Sequence, residues 1–183
     1  MFNSKRTFDT LFSLFGLFFI GWIILFFWIL ATLETKSNGF FFQNRVGQFG
    51  KIFKIAKLRT INPKSEKITP LGIFLRKYKI DELPQLWTIL IGKMSFVGPR
   101  PDIAGYYDVL EGENRKILEL KPGLTSMASI KYANEEEILG LQENPLFYND
   151  TIIFPDKVRM NLDYYYNQSF FGDIKIIIKT IFR

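Results

Sequence analysis

The chain has 183 residues and a net charge of +6, and 48% of its residues are hydrophobic, including 20 Phe. It contains no cysteine and no histidine, which excludes disulfide frameworks, thiolate nucleophiles, Ser-His triads and His/Cys zinc sites. Catalysis would therefore have to use carboxylates, Lys, Arg, Tyr, Ser or a hard metal ion bound by oxygen ligands. A basic, apolar chain suits an anionic membrane face, a nucleic acid or a phosphorylated substrate, and composition does not choose among them.

An apolar run over residues 11–33 contains no charged residue. At about 1.5 Å of rise per residue, a helix of this length crosses a hydrocarbon core of roughly 30 Å. Basic residues flank the run on both sides, which favours a re-entrant hairpin that enters and leaves on one face. Such a hairpin needs a break at Gly16 or at Gly21-Trp22, whereas the hydropathy favours a simple span. The residues predicted to anchor the segment in the membrane are Lys5, Arg6, Gly21 and Trp22.

The next segment predicts a β-hairpin, because residues 40–46 and 51–60 are rich in strand formers and are separated by a glycine-containing turn. In an extended second strand, Lys57 and Arg59 share a face with apolar residues. These two cations are explained equally well as ligand contacts or as a solvated strand edge. A helix is then predicted over 69–79, with Thr69 as its N-cap and proline at its first position.

Two adjacent acids, Asp81 and Glu82, follow in the stretch KYKIDELPQLW. One interpretation makes Asp81 the N-cap and Glu82 the first residue of a new helix, with Pro84 at N3. The other makes the pair a reaction centre, since a helix N-terminus and nearby cations such as Arg76 attract phosphate and keep a carboxylate ionised. An ionised Asp beside a bound phosphate and Mg²⁺ is the arrangement of aspartyl-phosphate chemistry.

Arg100 lies between two prolines, and this stiff loop suits bidentate recognition of phosphate or is simply a rigid turn. Beyond it we predict a polar helix within 103–130, ended by a Pro-Gly turn, and further helices over 131–140 and 154–168. The terminal segment 169–183 is amphipathic, and its apolar stripe suits a membrane interface.

Taken together, these segments resemble the bacterial sugar transferase family, the small monotopic polyprenyl-phosphate phosphoglycosyl transferases. The resemblance covers nearly the whole chain and is most specific in LRKYKIDELPQLWTILIGKMSFVGPRPD over 75–102. The other matching blocks are KRTFD, FFFQNRVGQFGKIFKIAKLRT, KPGLT and SFFGDIKIIIKTI. The chain departs from the family in having IGWI where a proline usually breaks the membrane helix, and PGLTSMAS where many members have PGITGWAQ.

The resemblance implies a Mg²⁺-dependent transfer of a phosphosugar from a UDP-sugar to undecaprenyl phosphate, with release of UMP. Asp81 would be the nucleophile and Glu82 would hold Mg²⁺ together with Asp81 or orient the acceptor. The implied phosphate contacts are Lys57, Arg59, Arg76 and Arg100. The implied location is the cytoplasmic face of the bacterial inner membrane, with membrane lipid and no nucleic acid as a partner. The sequence does not identify the sugar that is transferred, and it does not determine the oligomeric state.

The predicted fold class is α+β and mostly helical. It comprises a membrane-inserted, re-entrant helix within 1–36 and a catalytic domain over 37–183 with a small β-hairpin and interfacial helices. Two other functions remain open on the residues alone. A non-enzymatic, membrane-anchored binder of anionic lipid or another polyanion would use the +6 charge without needing the acidic pair. A glycosidase is disfavoured, because adjacent carboxylates do not readily flank a sugar from opposite sides.

Overall fold

The computed structural model describes residues 2–182, with side chains from Ser4 onward. The chain is α+β and mostly helical, as predicted. Within residues 2–182 the α-helices and β-strands are α1 (Phe2–Thr35), β1 (Phe40–Val46), β2 (Ile52–Leu58), α2 (Pro70–Lys77), α3 (Gln85–Leu90), β3 (Ser95–Val97), β4 (Gly123–Thr125), α4 (Met127–Lys131), α5 (Glu135–Gly140), α6 (Pro145–Tyr148), α7 (Phe154–Asn167) and α8 (Phe170–Ile181). Residues 2–45 and 52–93 form one compact unit, and residues 46–51 and 94–182 form a second.

Helix α1 is a single unbroken helix, so the turning point predicted at Gly16 or at Gly21-Trp22 is absent. Glycine weakens a helix by only about 1 kcal/mol relative to alanine, which is too little to interrupt so long an apolar helix. Only 11% of its most apolar stretch is buried, which is unlike the core helix of a soluble protein. The exposed apolar side chains along it include Phe12, Phe15, Phe18, Phe19, Trp22, Leu25, Phe26, Ile29 and Leu33.

The buried positions of α1 form a narrow stripe of mostly polar or small residues that faces the rest of the first unit. Asp9, Ser13, Ala31 and Thr35 are among them, and each is at most 3% exposed. Ile24, on the same side, packs with Leu58 of β2 and Leu75 of α2 in the principal apolar cluster around this helix. Because these positions recur at helical spacing, one face of α1 packs against the rest of the first unit, and its remaining faces are apolar and exposed.

Contacts at both ends fix α1 to this unit. The Arg6 guanidinium donates to the carbonyl oxygens of Ile89 (2.7 Å) and Leu90 (2.6 Å) at the end of α3. At the other end, Glu34 Oε1 accepts a hydrogen bond from the Leu71 amide in the first turn of α2 (3.2 Å). The two ends of α1 therefore contact the same compact unit.

The hairpin β1–β2 and the start of α2 are confirmed. The two strands pair over the predicted segments, and the Thr69 side chain accepts a hydrogen bond from the Gly72 amide, as an N-cap should. The prediction that Lys57 and Arg59 share a face with the apolar residues of the second strand is not met, because burial shifts from Phe53 and Ile55 to Leu58 and Thr60. Lys57 and Arg59 consequently do not extend the buried face of Phe53 and Ile55.

In the second unit, β3 and β4 pair in parallel, and a cluster around Tyr107, Ile117 and Val158 forms its principal core. The polar helix predicted within 103–130 is present over Gly112–Glu119, but it is a 3₁₀-helix rather than an α-helix. Glu111 provides no side-chain cap and Gly112 has φ +56°, so no regular α-helical N-terminus is set up there. Helices α7 and α8 lie where the sequence predicted helices.

Candidate active site

The acidic pair lies in a tight turn between two helices rather than at the start of one. Helix α2 ends at Lys77, and Lys79 takes the left-handed conformation (φ +55°) that reverses the chain. Ile80–Glu82 then form one 3₁₀ turn, and Pro84 immediately precedes α3. The prediction that Asp81 is an N-cap is therefore wrong, because the chain needs this turn to leave α2 and because Pro84, lacking an N–H, suits the start of α3.

Both acidic side chains are withdrawn from solvent. Asp81 and Glu82 are each 7% exposed, although Asp and Glu are rarely so buried unless they are paired. Asp81 Oδ1 has no hydrogen-bond partner within the described residues. A buried carboxylate oxygen without a partner is costly, so a reactive or ligand-binding role is the natural hypothesis for it.

Burial raises the pKa of the Asp81 carboxyl, and the neighbouring Glu82 carboxylate adds to that rise. The positive charges of Lys57, Lys79 and Arg76 act in the opposite direction and lower this pKa. The predicted cations are thus present around Asp81, but the net shift runs against the prediction that they keep the carboxylate ionised. Removal of water from the carboxyl outweighs the attraction of the cations.

Glu82 forms an ion pair with Lys57, in which Lys57 Nζ lies 3.0 Å from Glu82 Oε1. This pair connects β2 to the acidic turn and leaves the positive charge of Lys57 close to Asp81. Arg76, near the end of α2, donates from Nε to Thr60 Oγ1 at 3.0 Å. The first unit therefore brings together four predicted site residues: Asp81, Glu82, Lys57 and Arg76.

The other two predicted phosphate contacts are placed differently. The Arg59 guanidinium donates from Nε to the Asn38 carbonyl (2.6 Å) and from Nη2 to the Phe40 carbonyl (3.3 Å). It also lies over the Phe41 ring, so the hairpin holds this guanidinium through two of its three nitrogen atoms and one aromatic contact. Arg100 belongs to the second unit and lines an open cavity there beside Tyr107 and Leu118.

The acidic pair has the donor set that Mg²⁺ uses when a substrate supplies the remaining ligands. Within the described residues no three acidic side chains cluster into a metal cage. Mg²⁺ is commonly held by one or two carboxylates, water and substrate phosphates rather than by a cage made only of protein ligands. The unpartnered Asp81 Oδ1 and the adjacent Glu82 carboxylate fit that mode.

Comparison with known proteins identifies the family of this chain. The family model for bacterial sugar transferases matches residues 2–183, which is nearly the whole chain. The chain belongs to the bacterial sugar transferase family. The resemblance of the 75–102 block is thereby confirmed, and the buried acidic turn lies inside that block.

Relatives of this sugar transferase cover most of its length. It is 34% identical over 187 residues to the Bacillus subtilis protein described as uncharacterized sugar transferase EpsL, covering 97% of this chain and 85% of the relative. It is 31% identical to a UDP-glucose:undecaprenyl-phosphate glucose-1-phosphate transferase of Caulobacter vibrioides, covering 81% of this chain and 57% of the relative. It is 30% identical to a UDP-N-acetylgalactosamine-undecaprenyl-phosphate N-acetylgalactosaminephosphotransferase of Aeromonas hydrophila, covering 84% of this chain and 37% of the relative.

Two residues of the sugar transferase's candidate site were missed by sequence reasoning. Thr60 contacts Arg76, and its position just after a strand gave no signal of that partner. Lys79 adds a positive charge near Asp81, and its left-handed backbone shapes the acidic turn. Its place just beyond a helix end was the available signal, because that position often takes the left-handed conformation.

Proposed function

We propose that this sugar transferase moves a sugar phosphate from a UDP-sugar to undecaprenyl phosphate and releases UMP, as the first membrane step in the synthesis of a polysaccharide or other glycoconjugate. The observation that carries the proposal is the Asp81 carboxyl, buried, with an unpartnered Oδ1 and with Lys57, Lys79 and Arg76 around it. The names of two relatives, a glucose-1-phosphate and an N-acetylgalactosamine phosphate transferase acting on undecaprenyl phosphate, support this choice of donor and acceptor class.

In the proposed reaction an Asp81 carboxylate oxygen attacks the phosphorus atom next to the sugar. The bond from that phosphorus to the bridging oxygen breaks, and UMP leaves with the electron pair. An oxygen of undecaprenyl phosphate then attacks the same phosphorus and displaces the Asp81 carboxylate, which regenerates the enzyme. Two displacements at one phosphorus leave a sugar diphosphate on the lipid, so atoms and charge balance without any further reactant.

The surrounding cations support the nucleophile and the substrate. Lys57, Lys79 and Arg76 offset the repulsion between the carboxylate and the donor diphosphate, which would otherwise oppose their approach. Asp81 and Glu82 are the residues that would hold Mg²⁺. When bound, Mg²⁺ would neutralise phosphate charge and stabilise the leaving group. The ion pair with Lys57 orients Glu82 beside the nucleophile.

We further propose that α1 inserts into the inner membrane with the catalytic residues on the cytoplasmic face. Its open apolar faces supply the surface for lipid, and its two ends contact the same compact unit through Arg6 and Glu34. Because α1 has no break, it cannot turn back within the bilayer, so we propose that it lies along the cytoplasmic interface with both of its ends on that face. The exposed apolar side chains of α8, including Phe171, Ile178 and Ile181, support a second contact with the membrane interface.

The test is UMP release from a panel of UDP-sugars in the presence of undecaprenyl phosphate and Mg²⁺, for the wild type and Asp81→Asn. We expect release from at least one donor and none from the variant, because an amide is not a competent nucleophile here. Without acceptor, mass spectrometry should find the wild type heavier by one sugar phosphate at Asp81. Undiminished turnover by Asp81→Asn would overturn the mechanism. Salt-sensitive binding of any polyanion without UMP release would instead favour a non-enzymatic binder.

A further inference from the structure

Thr60 contacts α2 at three points. Its carbonyl oxygen accepts a hydrogen bond from the Thr69 amide (3.0 Å) at the N-cap of that helix. It lies so close to Gly72 that a Cβ there would come within 2.2 Å of the Thr60 carbonyl oxygen. Its hydroxyl Oγ1 accepts a hydrogen bond from Arg76 Nε at 3.0 Å. Gly72 and Arg76 are one helical turn apart, so both lie on the face of α2 that meets Thr60.

The hydrogen bond to Nε decides which part of the Arg76 guanidinium remains available. Among the described residues, neither Nη group of Arg76 forms a hydrogen bond. Arg59 differs, since it donates from Nε and Nη2 to backbone carbonyls. A guanidinium that is held at Nε and free at both Nη groups presents the planar fork that binds a phosphate through two parallel hydrogen bonds.

Thr60 itself is well placed to hold this group. It is 7% exposed, and a hydrogen bond to a charged group is stronger and more rigid away from water. Arg76 acts on the Asp81 carboxyl through its positive charge, so its head group lies in the electrostatic neighbourhood of the acidic turn.

We propose that Thr60 is a positioning residue that fixes the Arg76 guanidinium so that its two Nη groups bind the diphosphate of the nucleotide-sugar donor. The inference rests on the proposed function, since it assigns a donor contact within that site. Thr60 does not touch the donor and acts through Arg76. The Thr60 backbone would continue to position α2 if the hydroxyl were removed.

The test compares Thr60→Val, which keeps the shape and removes the hydroxyl, with Thr60→Ser, which keeps the hydroxyl. Affinity for UDP, measured by calorimetry with Mg²⁺, reports on the diphosphate without needing turnover. We expect Thr60→Val to weaken UDP binding and raise the donor KM by roughly tenfold, the scale of one hydrogen bond to a charged group. Thr60→Ser should stay close to the wild type, and the acceptor KM should not change in either variant.

Repeating the Thr60→Val substitution in a variant of Arg76 distinguishes a positioning role of Thr60 from a purely structural one. Arg76→Met keeps an unbranched side chain but has no hydrogen-bond donor, so Thr60→Val should have no additional effect in Arg76→Met. The inference is overturned if Thr60→Val binds UDP like the wild type, or if its effect persists in Arg76→Met. It is also overturned if Thr60→Val and Thr60→Ser lose affinity and melting temperature together, or if the wild type does not bind UDP. Should Thr60→Val not fold, Thr60→Ala provides the same comparison. Failure of the proposed function is recognised separately, by a wild type that binds UDP but releases no UMP from any donor.

Discussion

Lys57 Nζ lies 3.0 Å from Glu82 Oε1, and this ion pair joins strand β2 to the turn that carries Asp81. The two side chains are 19% and 9% exposed, so neither charge is well solvated. Removing one partner from such a pair leaves the other charge buried and unpaired, which costs more than the pair itself contributes. Glu82 and Asp81 are adjacent, so a change at Lys57 also alters the electrostatic surroundings of the proposed nucleophile.

The first prediction concerns this pair and stability. Lys57→Met should lower the free energy of unfolding by about 3 kcal/mol, because the Glu82 carboxylate loses its buried counter-charge. The double variant Lys57→Met/Glu82→Gln should recover part of the loss in a denaturant titration. A suitable control is Lys131→Met, which breaks a 2.6 Å pair with Asp156 in which Lys131 is half exposed. That change should cost much less than Lys57→Met, because water screens an exposed pair. Equal losses in the two single variants would contradict the prediction.

The second prediction concerns Asp81 and the trade between activity and stability. Asp81→Asn should abolish UMP release and raise the melting temperature, because a neutral amide avoids the cost of burying a carboxylate. For a chain of this size, about 1 kcal/mol corresponds to roughly 2–4 °C. Asp163→Asn, at an exposed site on α7, should change stability by no more than about 0.5 kcal/mol. A marked loss of stability in Asp81→Asn would show that the carboxylate is structural.

The third prediction concerns pH. Asp81 attacks only when ionised, and burial and Glu82 raise its pKa, so kcat/KM should fall on acidification at a higher pH than for an ordinary carboxyl. Lys57 and Lys79 lower this pKa, so Lys57→Met or Lys79→Gln should move the acid limb to still higher pH. The pH dependence of folding stability runs in the opposite direction to that of activity. Because the folded pKa exceeds the unfolded value, the Asp81 contribution to stability improves as pH falls through the folded pKa. An acid limb that moves downwards in these variants would contradict the assignment.

A fourth prediction separates the backbone of Lys79 from its charge. Lys79 has φ +55°, which glycine adopts freely and β-branched residues resist. Lys79→Gly should therefore keep stability within about 0.5 kcal/mol of the wild type, whereas Lys79→Val should lose about 1–2 kcal/mol. Both variants lack the charge and should share the shifted acid limb if they fold. Thermal melts and pH profiles of the pair check the prediction, and equal melting temperatures would refute it.

A fifth prediction concerns membrane topology and uses the absence of cysteine from the chain. Single cysteines at Ser4, in the first turn of α1, and at Ser37, just after its last residue, mark the two ends of this helix, which both contact one unit. A membrane-impermeant maleimide should label both positions in inverted inner-membrane vesicles and neither from outside in intact cells. Labelling of the two positions from opposite faces would show a simple span and contradict the proposed topology. The unsubstituted protein is the natural blank.

Several features followed from the sequence by itself, because they depend on residues close together in the chain. The uninterrupted apolar run determined a long helix, the strand formers around a glycine turn determined the hairpin, and Thr69 before proline determined the start of α2. The Asp81-Glu82 pair and four basic residues were named from the resemblance of the 75–102 block and its neighbours. Local patterns suffice for such features, since capping, periodicity and turn chemistry act over a few residues.

Only the tertiary structure decided how these parts meet. Contacts of Arg6 and Glu34 with residues far along the chain bring both ends of α1 to one unit, and the break that the flanking charges suggested is not needed for that. Burial, set by everything packed around the turn, decided the direction of the Asp81 pKa. Long-range partners likewise decided that Arg59 is used by the hairpin and that Thr60 holds Arg76. Hydrogen-bond partners and desolvation depend on residues distant in sequence, and no local pattern encodes them.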